Sequence, residues 1–177
     1  LKSHDEETQS SVLTLRNNIA LVLVSLGRYE DAISIYESIL VHQKKSMGTN
    51  NRAVAVTLQN LAIAYADIGR LGKSLVLMKQ ALKIYSQRSN QNRRQMAVAL
   101  SLLSKIYVLK GEYTVAENQI ERALEIYEEF FQPSHSSRVR AIINQADIYQ
   151  WQRKYEKAHA VLTHQLKQLE DKVESLH

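Results

Sequence analysis

The six histidines of this chain are scattered rather than gathered. His159 and His164 come nearest to a pair, but five residues along one helix is a poor spacing for a shared metal ion. Glu125, Glu128 and Glu129 hold enough carboxylate for acid and base work, yet they read as the solvated face of a helix. There is no cysteine, so thiolate catalysis, disulfides and cysteine metal sites are excluded. No Gly-rich phosphate loop, His-Glu-x-x-His pair or Gly-x-Ser-x-Gly elbow occurs. The chain is therefore read as a non-enzyme with no catalytic, metal or cofactor residue. The side chains that do fall into a pattern are amides. The step from Asn18 to Asn60, taken twice more, passes Leu102 and lands on Asn144. A carboxamide offers a donor and an acceptor together, so a ladder of them can hold an extended peptide backbone whatever its sequence.

The spacing of those amides is the period of the whole chain. Gly27, Gly69 and Gly111 recur at that same interval, and Arg153 takes the fourth place. Gly27-Arg28-Tyr29-Glu30-Asp31-Ala32 is answered by Gly111-Glu112-Tyr113-Thr114-Val115-Ala116 and Arg153-Lys154-Tyr155-Glu156-Lys157-Ala158. In the second copy Gly72 and Ser74 interrupt the phrase. Small residues stand seven before each place (Ala20, Ala62, Ser104, Ala146), and apolar ones nine after it (Tyr36, Met78, Ile120, Leu162). A strict period of this length marks a stacked array, which binds far more often than it transforms.

Apolar residues recur at three- and four-residue spacing on both sides of every turn, the pattern of amphipathic helices. Glycine lets the first helix end in a left-handed cap, and the tyrosine two residues later is expected to pack across the turn. First helices are expected over about 9–26, 52–68, 95–110 and 137–152, and their partners over about 29–45, 71–88, 112–131 and 155–175. Polar connections are expected at 46–51, 87–92 and 132–136, the last stopped by Pro133 and capped by Ser136 or Ser137. The small columns let helices cross closely. The expectation is one all-α domain over 1–177, a right-handed α-α superhelix of four helix-turn-helix repeats at about 9–50, 51–92, 93–134 and 135–177.

Apolar residues make up 45% of the chain and charged residues 23%, the balance of a water-soluble globular fold. No uncharged apolar stretch approaches the roughly 20 residues that span a bilayer. The start, Leu1-Lys2-Ser3-His4-Asp5-Glu6-Glu7, resembles neither a leader nor a translation start and reads as a domain cut from a longer protein. A cytoplasmic setting is expected. The net charge of +5 is concentrated: residues 49–91 carry six Lys or Arg against one Asp. That basic stretch reads as an outer solvated face, with acidic peptide, nucleic acid or an anionic surface as the partners it could draw.

Small residue, aromatic, Gly-x-Tyr-x-x-Ala and a further Ala-Leu together resemble the tetratricopeptide repeat, here eight residues longer than the usual unit of about 34. Leu58-Gln59-Asn60-Leu61-Ala62-Ile63-Ala64-Tyr65 and Arg122-Ala123-Leu124-Glu125-Ile126-Tyr127 are similar to phrases of the kinesin light chain repeats. The resemblance spans about residues 11–170, lacks the His-Pro that such linkers often carry, and implies a solenoid whose first helices line a concave groove. The implied peptide-binding residues are Asn17, Asn18 and Leu21 in the first repeat and Gln59, Asn60 and Ile63 in the second. Ser101 and Lys105 follow in the third, with Arg140, Asn144 and Trp151 in the fourth. The resemblance also implies that asparagines here clamp a ligand's main chain. The apolar residues between the polar rungs, flanked by Lys105 and Arg140, suit a protein or peptide segment that is acidic with apolar anchors. The resemblance implies the same class, since kinesin light chains bind cargo segments with a Trp among acidic residues.

The function expected is a protein–protein interaction scaffold or adaptor that binds a peptide segment or a partner helix in its concave groove. The alternatives are a regulatory or sensor domain of a larger signalling protein, and an RNA-binding solenoid. An inner face with only Lys105, Arg140 and Trp151 to offer speaks against nucleic acid. Leu162, Leu166, Leu169, Val173 and Leu176 alternate by four and three, a seam that caps the array, meets a further repeat or forms a homo-oligomer through Leu169, Val173 and Leu176.

Overall fold

The computed structural model describes residues 2–87 and 89–175, in two compact units. In the first, α1 (Lys2–Ser25), α2 (Tyr29–Met47), α3 (Arg52–Asp67) and α4 (Leu71–Gln87) form two helix-turn-helix pairs. In the second, α5 (Ser89–Leu109), α6 (Tyr113–Phe130), α7 (Ser136–Trp151) and α8 (Tyr155–Glu174) do the same. Within each unit every helix packs on the next, and the first helices of the two pairs also touch, α1 on α3 and α5 on α7. The described residues are all-α, as the repeat pattern predicts.

Each turn closes by the same two bonds. The residue after the turn position donates its amide to the carbonyl five residues back, as Arg28 to Leu23 at 2.9 Å and Lys154 to Tyr149 at 2.8 Å. The turn residue itself donates three back, as Gly111 to Val108 and Arg153 to Gln150, both at 2.9 Å. These bonds satisfy the last carbonyls of the first helix, which otherwise have no helical partner.

Both small columns are buried throughout: Ala20, Ala62, Ser104 and Ala146 on the first helices, Ala32, Ser74, Ala116 and Ala158 on the second. Ser74 departs from the alanine of the sequence phrase but keeps its buried place in the column. Its hydroxyl donates to the Ala62 carbonyl at 2.6 Å, which joins the two columns where the helices cross. A second repeated joint runs between second and first helices. Tyr65 donates its hydroxyl to Glu37 at 2.7 Å, and two repeats on Tyr149 is paired with Glu121 at 3.5 Å.

Three local expectations are corrected. Helix α1 begins at Lys2 rather than near residue 9. The polar connection expected at 87–92 is replaced by the start of α5 at Ser89, because Ser89-Asn90-Gln91-Asn92-Arg93-Arg94 holds neither Pro nor Gly to stop a helix. Helix α7 is capped by His135, not by Ser136 or Ser137: the His135 ring nitrogen Nδ1 accepts the Ser137 amide at 3.2 Å, with the imidazole stacked on Phe131. No helix among the described residues is long and apolar enough to cross a membrane.

Candidate peptide-binding surfaces on the first helices

In the first unit α1 presents Asn17, Asn18 and Leu21, and α3 presents Gln59, Asn60 and Ile63. Asn18 and Leu21 are exposed, and the other four are half-buried. The amides meet on a diagonal, with Asn60 Nδ2 donating to Asn17 Oδ1 at 3.1 Å. Asn60 thus bridges neighbouring first helices, and a carboxamide so paired still has one oxygen and an N–H to offer a ligand.

The second unit brings the other five together between α5 and α7. A cleft of about 770 Å³ is lined by Lys105, Val108 and Leu109 from α5 and by Asn144, Asp147 and Trp151 from α7, with Tyr155 closing one end. Beside it lies a hollow of about 100 Å³ that takes in Ser101, Leu102, Tyr127 and Arg140. Lys105 and Asn144 line both, so the two form one surface. At its far end Leu109, Trp151 and Tyr155 are each more than 60% exposed, an unusual concentration of apolar surface. Lys105 and Arg140 give the surface positive charge, against which Asp147 is the acid of the lining. Burial pushes the Tyr127 hydroxyl above its ordinary range, while the neighbouring Ser101 hydroxyl and the Arg140 charge pull it partly back.

Trp151 is held in place rather than loose. Its ring lies parallel to that of Tyr113 with centroids 6.0 Å apart. Just beyond it, the turn is tied to α6 by Glu117, whose Oε2 accepts from Gln152 at 2.8 Å and from Lys154 at 2.9 Å. Burial alone would raise the Glu117 carboxyl, but the bonds from Lys154 and Gln152 outweigh it and hold it below the usual range. A depressed folded value contributes stability above the unfolded carboxylate range and loses it as pH falls. Glu117→Gln is accordingly expected to cost about 1 kcal/mol at pH 7, with the difference from wild type shrinking below about pH 4. Paired urea unfolding curves at the two pH values check this; a difference independent of pH would assign the loss to packing.

Tyr155 is the residue that sequence reasoning placed wrongly. Expected to pack across its turn, it is 61% exposed and lines the cleft. Tyr113, one repeat earlier, has Trp151 to lie on; no ring contact holds Tyr155 among the described residues. Tyr113 and Tyr127 were likewise missed as site residues. The signal for Tyr155 was its position four residues beyond Trp151.

The fold is shared by solved proteins. A kinesin light chain protein of Podosopora anserina with nearly identical TPR-like repeats aligns with a TM-score of 0.73 at 18% identity, over 90% of this chain and 76% of its own. BtubC (BKLC) from P. vanneervenii aligns with 0.78 at 19% identity, over 90% of this chain and 63% of its own. MamA aligns with 0.65 at 17% identity, over 97% and 86%. No curated protein matches the sequence. The tetratricopeptide repeat profile matches residues 11–87 and 95–171, which is most of the chain. With its four matching turns and buried small columns, the chain belongs to the tetratricopeptide repeat family.

Proposed function

We propose that this chain is a protein–protein interaction scaffold whose first-helix surfaces hold an extended peptide segment. The observation that carries this reading is the α5–α7 cleft, where Asn144 and Lys105 stand beside exposed Leu109, Trp151 and Tyr155. A rigid aromatic anchor next to backbone-binding amides is the arrangement of a peptide hot spot. The cations Lys105 and Arg140 favour an acidic segment with an apolar side chain for the Trp151 end. In the first unit Asn18, Asn60 and Gln59 would hold main chain, with Leu21 and Ile63 beside them.

The test is to pan the chain against a random peptide display library. Selected peptides are then measured by fluorescence anisotropy against wild type, Trp151→Ala and an Asn18→Ala/Asn60→Ala double variant. Trp151→Ala is expected to weaken binding about tenfold or more, as loss of an aromatic hot spot does. The amide double variant is expected to weaken peptides of differing sequence alike. If nothing is enriched, or all variants bind equally, the surface is not a peptide site. Binding of single-stranded RNA that falls steeply with added salt would replace the reading with a nucleic-acid one.

A further inference from the structure

Helix α1 carries a second apolar stripe, away from the amides. Val12, Leu15, Ile19, Val22 and Leu26 alternate by three and four, and are 42–67% exposed. That is the seam with which one helix seats on another, and among the described residues nothing covers it.

The internal period states what such a stripe fits. One repeat on, Leu15 corresponds to Thr57 and Ile19 to Leu61, both buried where α3 packs on α2. Thr57 donates to Gln43 of α2 at 2.8 Å, and Leu61 shares a hollow with Leu40 of α2. Three repeats on, Val12 corresponds to Arg138, which bonds Glu128 of α6. The stripe of α1 is thus the face that first helices turn toward the second helix of the preceding repeat.

Helix α8 offers the other half of that joint. Its residues equivalent to Tyr36, Leu40 and Gln43 are Leu162, Leu166 and Leu169. The α2 residues are buried, whereas Leu162 and Leu166 are 38% and 55% exposed and Leu169 is half-buried. The expected seam continues to Val173, also exposed; Leu176 lies outside the described residues. At the position where the internal joint holds the Thr57–Gln43 bond, the two ends hold Leu15 and Leu169. An apolar pair takes the place of a hydrogen-bonded one, and Ile19 would meet Leu166 as Leu61 meets Leu40.

We propose that copies of this chain associate head to tail, the α8 face of one copy seating on the α1 stripe of the next. A contact of this heterologous kind leaves a free face at each end, so association continues into rings or open chains.

Two blocked variants test it by analytical ultracentrifugation. Ile19→Asp removes the head and Leu166→Asp the tail, both at exposed positions where a charge is tolerated by the fold; circular dichroism checks that helix content is kept. Wild type is expected to grow beyond two chains with concentration. Each variant alone is expected to remain a single chain, and the two mixed are expected to give a species of two chains, since one supplies the free tail and the other the free head. Leu15→Glu should behave as Ile19→Asp. Wild type that stays a single chain at every concentration overturns the proposal. So does a mixture that stays monomeric, or one variant that still pairs with itself, which would make the contact symmetric.

Discussion

Ile120→Ala is expected to lower the unfolding free energy by about 2–5 kcal/mol, while Leu162→Ala, in the same column one repeat on, is expected to cost less than about 1 kcal/mol. Tyr36, Met78 and Ile120 hold this column with no exposed surface, whereas Leu162 is 38% exposed. Truncating Ile120 removes buried methyl groups and leaves a cavity that close-packed helices collapse into only partly. Truncating Leu162 removes atoms that already touch water, so little transfer energy and no enclosed cavity are at stake. Urea unfolding followed by circular dichroism measures both. The contrast is a statement about stacking: on α2 and α6 a first helix packs alongside, α3 and α7 respectively, and the column is buried, whereas on α8 it is open. Equal costs at the two positions would mean that neighbouring repeats do not bury this column. In that case the correspondence drawn between α8 and the other second helices would go with it.

What the sequence made legible follows from what repeats. The turns, the small columns and the helix pairing recur at the interval set by Gly27, Gly69 and Gly111, so four imperfect copies reinforce one another and the fold can be read from their agreement. Features confined to one copy were not legible in the same way. The early start of α5 depends on polar residues between Gln87 and Gln95, which neither forbid a helix nor announce one. The cap on α7 depends on an imidazole, a group without the cap preference of Ser or Asn, brought into place by its stack on Phe131.

The candidate surface divides along the same line. Lys105, Asn144 and Trp151 sit on first helices at positions that the period marks, and the structure gathers them into one cleft. Column reasoning sets Asn60 level with Asn18, but the bond observed runs to Asn17, one place off the period. Strict column matching passes over diagonal contacts between adjacent helices, because helices in contact cross at an angle rather than lie in register. Tyr155 was hidden for a different reason. Where a turn tyrosine lies depends on which side chain the next first helix offers it, and among the described residues Tyr113 alone has a ring contact with a Trp.

Gly111→Val is expected to destabilise the fold by about 2 kcal/mol, and Arg153→Gly to stabilise it by about 0.5–1 kcal/mol. The two residues occupy the same turn position, with φ of 77° at Gly111 and 59° at Arg153, the one non-glycine in the left-handed region among the described residues. The hydrogen bonds around them match: Glu112 donates to Tyr107 at 2.9 Å and Lys154 to Tyr149 at 2.8 Å. A Cβ at Gly111 would meet nothing within 4 Å, so the cost of Val is that of the backbone alone, made worse by branching at Cβ. Arg153 already bears that backbone cost, and glycine there would relieve it. The gain is smaller than the loss at Gly111 because glycine also frees the unfolded chain. Thermal unfolding of the two single variants measures the asymmetry. A stabilised Arg153→Gly would identify the fourth turn as a strained copy of the other three. A destabilised one would mean that the freedom glycine gives the unfolded chain outweighs the strain it relieves.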